Sequence, residues 1–198
     1  MKGLLAQKSG MSQLVLPDGG VMAVTWLKVA PNVVTQVKTA DRDGYVAAQI
    51  GAGQTKRPTN ALKHHLKELD AKVLKELRGM AEMKRGDKID LSIFEVGDEV
   101  SVTGISKGKG FSGTVKRHGF SRGPMSHGHD HHRAPGSIGP MGIPRVLPGK
   151  RMAGHQGAEQ VTVRGLTVMA IDPKAAMVAI KGAVPGARRS WLLIRKYE

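Results

Sequence analysis

The sequence predicts a mainly β protein with short helices, folded as a small antiparallel barrel or sandwich interrupted by a long basic, glycine-rich extension. Three observations carry this expectation. Short runs rich in Val, Thr and Leu recur between turn-forming clusters over the first 50 residues and again after residue 160. One stretch near residue 60 has helical rather than alternating spacing. Between the two β-rich regions lies a segment with no lasting apolar period at all.

The strand signals come in order. Met11 to Leu16, Val21 to Leu27, Val33 to Thr39 and Tyr45 to Ile50 are separated by Pro17-Asp18-Gly19-Gly20, Pro31-Asn32 and Asp41-Arg42-Asp43-Gly44, all turn chemistry. From residue 59 the pattern changes: Thr59 or Asn60 caps a helix carrying Ala61, Leu62, Leu66 and Leu69, and Asp70 opens a second short turn bearing Val73, Leu74 and Leu77. Short helices are therefore expected around residues 59–78. Strands resume at Leu91 to Phe94 and Glu99 to Ser106, joined by Val96-Gly97-Asp98. They return as Val161 to Val168, Met177 to Ile180 and Trp191 to Arg195, with turns at Asp172-Pro173 and Val184-Pro185-Gly186.

The intervening stretch, Gly104 to His155, holds 12 of the 26 glycines, 5 of the 10 prolines and 6 of the 8 histidines. Its nine Lys and Arg face one acid, Asp130. Such a segment buries too little apolar surface to offset the entropy of its own ordering. A loop this long is either disordered or functional. Ordering against a polyanion resolves the tension, because phosphates neutralise the charge and glycines let the backbone come close.

Bulk composition points the same way. The 198 residues suffice for one or two domains, and 40% are hydrophobic, so a folded body is expected. Lys and Arg total 31 against 16 Asp and Glu, a formal charge of +15, which a nucleic acid would relieve. No run approaches the roughly 18 apolar residues of a membrane span. Cysteine is absent and Met1 to Gln7 does not resemble a signal peptide, so a cytoplasmic address is expected. Aromatics make up only 4%, which favours phosphate and sugar contacts over base stacking as the main binding device.

Three motifs suggest other chemistry. Gly108-Lys109-Gly110-Phe111-Ser112-Gly113 matches the dinucleotide fingerprint in letters, but Thr114-Val115-Lys116-Arg117-His118-Gly119 is a poor start for the helix it needs. Gly119-Phe120-Ser121-Arg122-Gly123 matches a nucleophile elbow, yet Pro124 follows at once and the chain lacks βα alternation. His127-Gly128-His129-Asp130-His131-His132 has the residue types for a metal site but no second ligand set elsewhere. By contrast Lys107-Gly108-Lys109-Gly110 and Lys116-Arg117-His118-Gly119 are cation runs interleaved with glycine and lacking acids, as phosphate contacts require. A charge run is more often a solvated face, which is the competing reading for any single residue.

The chain resembles the universal large-subunit ribosomal protein three family in its bacterial form. The resemblance rests on Gly3-Leu4-Leu5, Lys8-Ser9-Gly10-Met11-Ser12-Gln13, Val37-Lys38-Thr39, Asp43-Gly44-Tyr45 and Phe94-Glu95-Val96-Gly97-Asp98. Most specific is Val102-Thr103-Gly104-Ile105-Ser106-Lys107-Gly108-Lys109-Gly110-Phe111, continuing through Lys116-Arg117-His118-Gly119-Phe120. It runs on through Ser126-His127-Gly128, through His132-Arg133-Ala134-Pro135-Gly136-Ser137-Ile138-Gly139, and through Gly149-Lys150-Arg151-Met152-Ala153-Gly154-His155. Val161-Thr162-Val163 and Val184-Pro185-Gly186 agree as well, so nearly the whole chain is covered.

The resemblance implies a β-barrel of the translation-protein type. It also implies a basic arm threading ribosomal RNA toward the peptidyl transferase centre, and early assembly onto the 3′-terminal RNA domain beside neighbouring large-subunit proteins. The expected layout is a discontinuous globular domain, residues 1–104 and 156–198, with an RNA-penetrating arm over residues 105–155. The expected RNA contacts are Lys107, Lys109, Lys116, Arg117, His118, Arg122, His127, His132, Arg133, Ser137, Arg145, Lys150, Arg151 and His155. No catalytic residue, small-molecule substrate, membrane or cofactor is expected beyond Mg2+ accompanying the RNA. There are departures: Gly139 to Pro144 has no glutamine where some relatives carry a methylated one, His129 and His131 enrich a loop others fill with small residues, and Gly79 to Asp90 matches weakly.

Overall fold

The computed structural model describes residues 2–78 and 83–196. In chain order the strands are β1 Gly3–Val15, β2 Val21–Lys28, β3 Asn32–Lys38, β4 Ala47–Ala52, β5 Val73–Arg78, β6 Lys88–Ile89, β7 Glu99–Ile105, β8 Phe111–Ser112, β9 Gly154–His155, β10 Gln160–Asp172, β11 Met177–Lys181 and β12 Trp191–Lys196. Three short helices, α1 Ala40–Asp43, α2 Asn60–Leu66 and α3 Thr114–His118, and one 3-10 turn, Leu91–Ile93, complete the regular structure. The protein is thus mainly β with a few short helices, as its residues imply. Two compact units emerge: residues 1–106 with 160–198, and residues 107–159.

In the larger unit six antiparallel strands pair in a ring, β1-β12-β7-β10-β11-β2 and back to β1, and so close into a barrel. Closure removes the unpaired edges that an open sheet would expose. Register shifts at Lys8/Gly10, Val163/Leu166 and Val168/Ala170 supply the local bends that a small barrel needs. On β7 the run Val100, Ser101, Val102, Thr103 and Gly104 is buried on both faces. A Cβ on Gly104 would run into the Leu192 side chain on β12, so only glycine lets these neighbours approach.

A second antiparallel sheet, ordered β5-β4-β3-β6, belongs to the same unit. Leu4, Leu5, Leu27, Val34, Ile50, Leu77, Val102, Ile180, Leu192 and Ile194 join one continuous core drawn from both sheets. Each fully buried aliphatic side chain contributes roughly 1.5–3 kcal/mol. Asn32 sits inside this core and bonds β1 at Leu5 to the start of β3.

The structure corrects several expectations. The second helical turn from Asp70 is instead β5, which pairs with β4 in the register Ala47↔Arg78 to Ala52↔Val73. The partner wins because an unpaired β4 edge would leave its backbone groups unsatisfied. Leu69 lies beyond α2, which ends at Leu66 although Thr59 caps it as foreseen. Leu91 to Phe94 is not a strand: Leu91–Ile93 forms the 3-10 turn, and the short strand beside β3 is Lys88–Ile89. The turn expected at Asp41–Gly44 tightens into α1. Of the weakly matching stretch, residues 79–82 lie outside the described residues. Beyond them a turn closed by Lys84 and Asp87 leads into β6.

Candidate nucleic-acid interface

The smaller unit begins and ends in a hydrogen-bonded stem. Phe111 and Ser112 on β8 pair with His155 and Gly154 on β9. The ladder extends through the Lys109 N–H to the Gln156 carbonyl, 2.8 Å, and the Gln156 N–H to the Gly110 carbonyl, 2.9 Å. Immediately after Gly113 the chain turns into α3, contrary to the expectation that Thr114 starts a helix poorly. Its first turn is closed by the Arg117 N–H on the Gly113 carbonyl. Gly119, at φ 72, ends it in the left-handed conformation that suits glycine. Five residues align too few peptide dipoles to make the pyrophosphate cradle of the dinucleotide fingerprint.

Met152 is the hub of the stem. Its carbonyl accepts a bond from Arg117 Nη1 at 2.8 Å and lies 3.0 Å from His118 Nε2. Two predicted RNA contacts therefore hold the stem together through at least one nitrogen each. The Gln156 amide also reaches the Lys116 carbonyl, 3.5 Å away, across 40 residues of sequence. This stem is structure of the segment's own, where the sequence suggested a segment lacking any. Its signal lies in backbone pairing between distant residues, which side-chain periodicity does not report.

Beyond the stem the unit opens out. Every residue from 133 to 153 is exposed, including Arg133, Ser137, Arg145, Lys150 and Arg151. Lys107, Lys109, Lys116, Arg122, His127 and His155 are exposed too, while Arg117, His118 and His132 are half-buried. None of the nine Lys and Arg of this unit forms an ion pair among the described residues. The exposed Ser137 hydroxyl donates to the Gly139 carbonyl at 2.9 Å. Met141 is fully exposed and Phe111 is 81% exposed, the latter beside Lys109 and opposite His155. Phe111 was not among the expected contacts; the only hint of its exposure is its place in a cation-glycine run.

The histidine tract folds as a tight turn. The His132 N–H donates to the Asp130 carbonyl at 3.2 Å, and the His129 and His131 rings stand edge to face, centroids 6.2 Å apart. Gly123 lies against His131 and His129, where a Cβ would collide. Among the described residues no group of three or more His, Cys, Asp or Glu converges as metal ligands would. Ser121 stands in irregular chain rather than at a strand-to-helix elbow. No helix among the described residues is long and apolar enough to cross a membrane.

What this arrangement offers chemically is a row of cations without ion pairs among the described residues, interleaved with bare backbone and with exposed apolar side chains such as Phe111, Met125 and Met141. It suits a polyphosphate surface rather than a small substrate.

Comparison with known proteins agrees with the resemblance read from the motifs. The family profile described as Ribosomal protein L3 matches residues 80–177. The large ribosomal subunit protein uL3 of Halalkalibacterium halodurans is 46% identical, covering 98% of this chain and 96% of the relative. That of Carboxydothermus hydrogenoformans is 44% identical over 98% and 97%, and that of Shouchella clausii 42% over 98% and 97%. With identities of this order along almost its whole length, the chain belongs to the ribosomal protein L3 family, in its bacterial form.

Proposed function

We propose that this protein is a structural, non-catalytic constituent of the large subunit of the cytoplasmic ribosome. The larger unit acts as a translation-protein-type β-barrel that docks on large-subunit RNA and beside neighbouring large-subunit proteins. Residues 105–155 act as an arm that enters between RNA helices toward the peptidyl transferase centre, and binding helps nucleate subunit assembly. No cofactor is needed beyond Mg2+ that travels with the RNA, and there is neither a membrane nor a small-molecule partner.

One observation carries the reading. From Arg133 to Ala153 the chain is exposed throughout, and its cations form no ion pair among the described residues. A protein surface gains nothing from such a segment in isolation, whereas folded RNA supplies both the charge and the enclosure. Arg117, Arg122, Arg133, Arg145 and Arg151 suit two-pronged phosphate contacts, and Lys107, Lys109, Lys116 and Lys150 act as point charges. His118, His127, His132 and His155 add polar or stacking contacts, and Ser137 fixes the local turn.

The test is the salt dependence of binding to a transcript of the 3′-terminal domain of large-subunit RNA. Each neutralised phosphate contributes about 0.7–0.9 to the slope of log K against log salt. Replacing Lys150 and Arg151 together by Ala should make that slope shallower. A slope unchanged in the double variant would strike both residues from the interface, and a wild-type chain with no salt-dependent affinity would end the proposal.

A further inference from the structure

The larger unit carries a basic cleft of its own. Gln7, Lys8 and Ser9 at the bulge of β1, Lys28 at the end of β2, and Arg188 with Arg189 before β12 line a cleft of about 500 Å3. No acidic residue lines it. Lys28, Arg188 and Arg189 are exposed and form no ion pair among the described residues.

The backbone at Arg189 and the guanidinium of Arg188 are held in place. The Arg189 N–H donates to the Lys8 carbonyl at 2.7 Å, the Lys8 N–H donates to the Ser190 carbonyl at 2.9 Å, and the Gln7 side-chain amide donates to the Arg189 carbonyl at 2.8 Å. Lys8 itself is buried and points its ammonium inward, to the carbonyls of Val184 at 2.8 Å and Gly186 at 3.1 Å. The turn before β12 is thereby strapped to β1 from both ends. Under that constraint Arg189 keeps φ 65, a left-handed backbone that a long side chain rarely adopts. Arg188 donates from Nε to the Ser9 carbonyl at 3.1 Å and lies over Gly10, where a Cβ would come within 3.4 Å of Nη2. Its terminal nitrogens have no acceptor among the described residues, so the two-pronged end of the guanidinium is already oriented and unused.

A solvated basic face would need neither the tether on Arg188 nor the strained backbone at Arg189. We infer that this cleft binds a phosphodiester group of RNA, clamped by Arg188 and Arg189 and neutralised further by Lys28. The inference rests on the proposed function and deepens it, by assigning the larger unit a specific phosphate-binding site. A polynucleotide fits better than a free anion, because the cleft is open and its gain comes from releasing counterions along a strand.

The experiment uses the full chain and the same transcript. Replacing Arg188 and Arg189 by Ala should weaken binding about tenfold near 0.1 M salt and lower the salt slope by about 1 to 2. Lys28→Ala should do the same to a smaller degree. Replacing both arginines by Lys should keep the slope yet lose part of the affinity, since an ammonium is not two-pronged. Phosphate-ethylation interference should place the lost contacts at nucleotides other than those lost in the Lys150/Arg151 double variant.

A salt slope and interference pattern unchanged in the Arg188/Arg189 variant, with the Lys150/Arg151 variant affected, would overturn the cleft assignment and leave the arm standing. No salt-dependent binding by wild type would overturn both. Titration with inorganic phosphate, followed by the side-chain NMR signals of Arg188 and Arg189, separates the two sources. Saturation at millimolar phosphate in a chain whose RNA affinity ignores the double substitution would mean a free-anion site, and would also overturn the proposal.

Discussion

Asn32 is fully buried, and its amide accepts from the Leu5 N–H at 2.9 Å while donating to the Leu5 carbonyl at 2.9 Å and the Ala30 carbonyl at 2.8 Å. It stands where no strand covers that edge of β1. Asn32→Ala leaves two core backbone groups unpaired, which should cost roughly 2 to 5 kcal/mol in urea unfolding. A loss below about 1 kcal/mol would show that water or a shifted backbone satisfies them. At the opposite end of β3, Lys38 bonds the Tyr45 hydroxyl at 2.6 Å and Glu76 at 2.8 Å, and the Tyr45 hydroxyl donates to Glu76 at 2.9 Å. The Lys38 ammonium, then the Tyr45 hydroxyl, hold the Glu76 carboxyl below its usual range. A depressed folded-state pKa gives stability that is present above the unfolded value and lost as pH falls through the folded one. Thermal melts from about pH 6 to about pH 3 should therefore fall less steeply for Glu76→Gln than for wild type. Parallel curves would mean that the clasp adds nothing.

At the level of elements, the smaller unit divides into a bonded stem and an exposed outer segment. The stem gains from its paired backbone, from α3 and from the bonds onto the Met152 carbonyl. Residues 120–150 have few such bonds and almost no burial. Segments with few buried contacts open at the lowest free energy and are cut first by proteases. Limited proteolysis of the RNA-free chain should thus cleave within residues 120–150, leave the barrel strands intact, and be suppressed when the transcript is added. First cuts in β1–β7 or β10–β12 would contradict this division. The elements misread from sequence have a shared cause. Val73 to Leu77 and Leu91 to Phe94 are short stretches whose spacing suits either helix or strand; pairing with β4 made the first a strand, while the second closes on itself as a 3-10 turn through the Phe94 N–H on the Leu91 carbonyl.

For the whole molecule, a net charge of +15 sits on a chain with a continuous apolar core. The core strands alternate or bury both faces as their Val, Leu and Ile content requires, so the mainly β class was legible from residues alone. The same residues set apart the stretch from Gly104 to His155, whose 12 glycines, nine cations and one acid give it little means of forming a core. What could not be read was everything that depends on which distant residues meet. The ring closure joins β1 to β12 across almost the full chain, and Gln156 pairs with Gly110 across the smaller unit. Lys8 is spent on the Val184 and Gly186 carbonyls, while Arg188 is left with a free edge in the cleft. Composition and local spacing determined the kind of protein this is, since burial and charge are additive along a chain. Only the tertiary structure decided which cations serve the fold and which stay open to a partner, because that depends on hydrogen-bond geometry between residues as far apart in the sequence as Gln7 and Arg189 or Lys2 and Lys196.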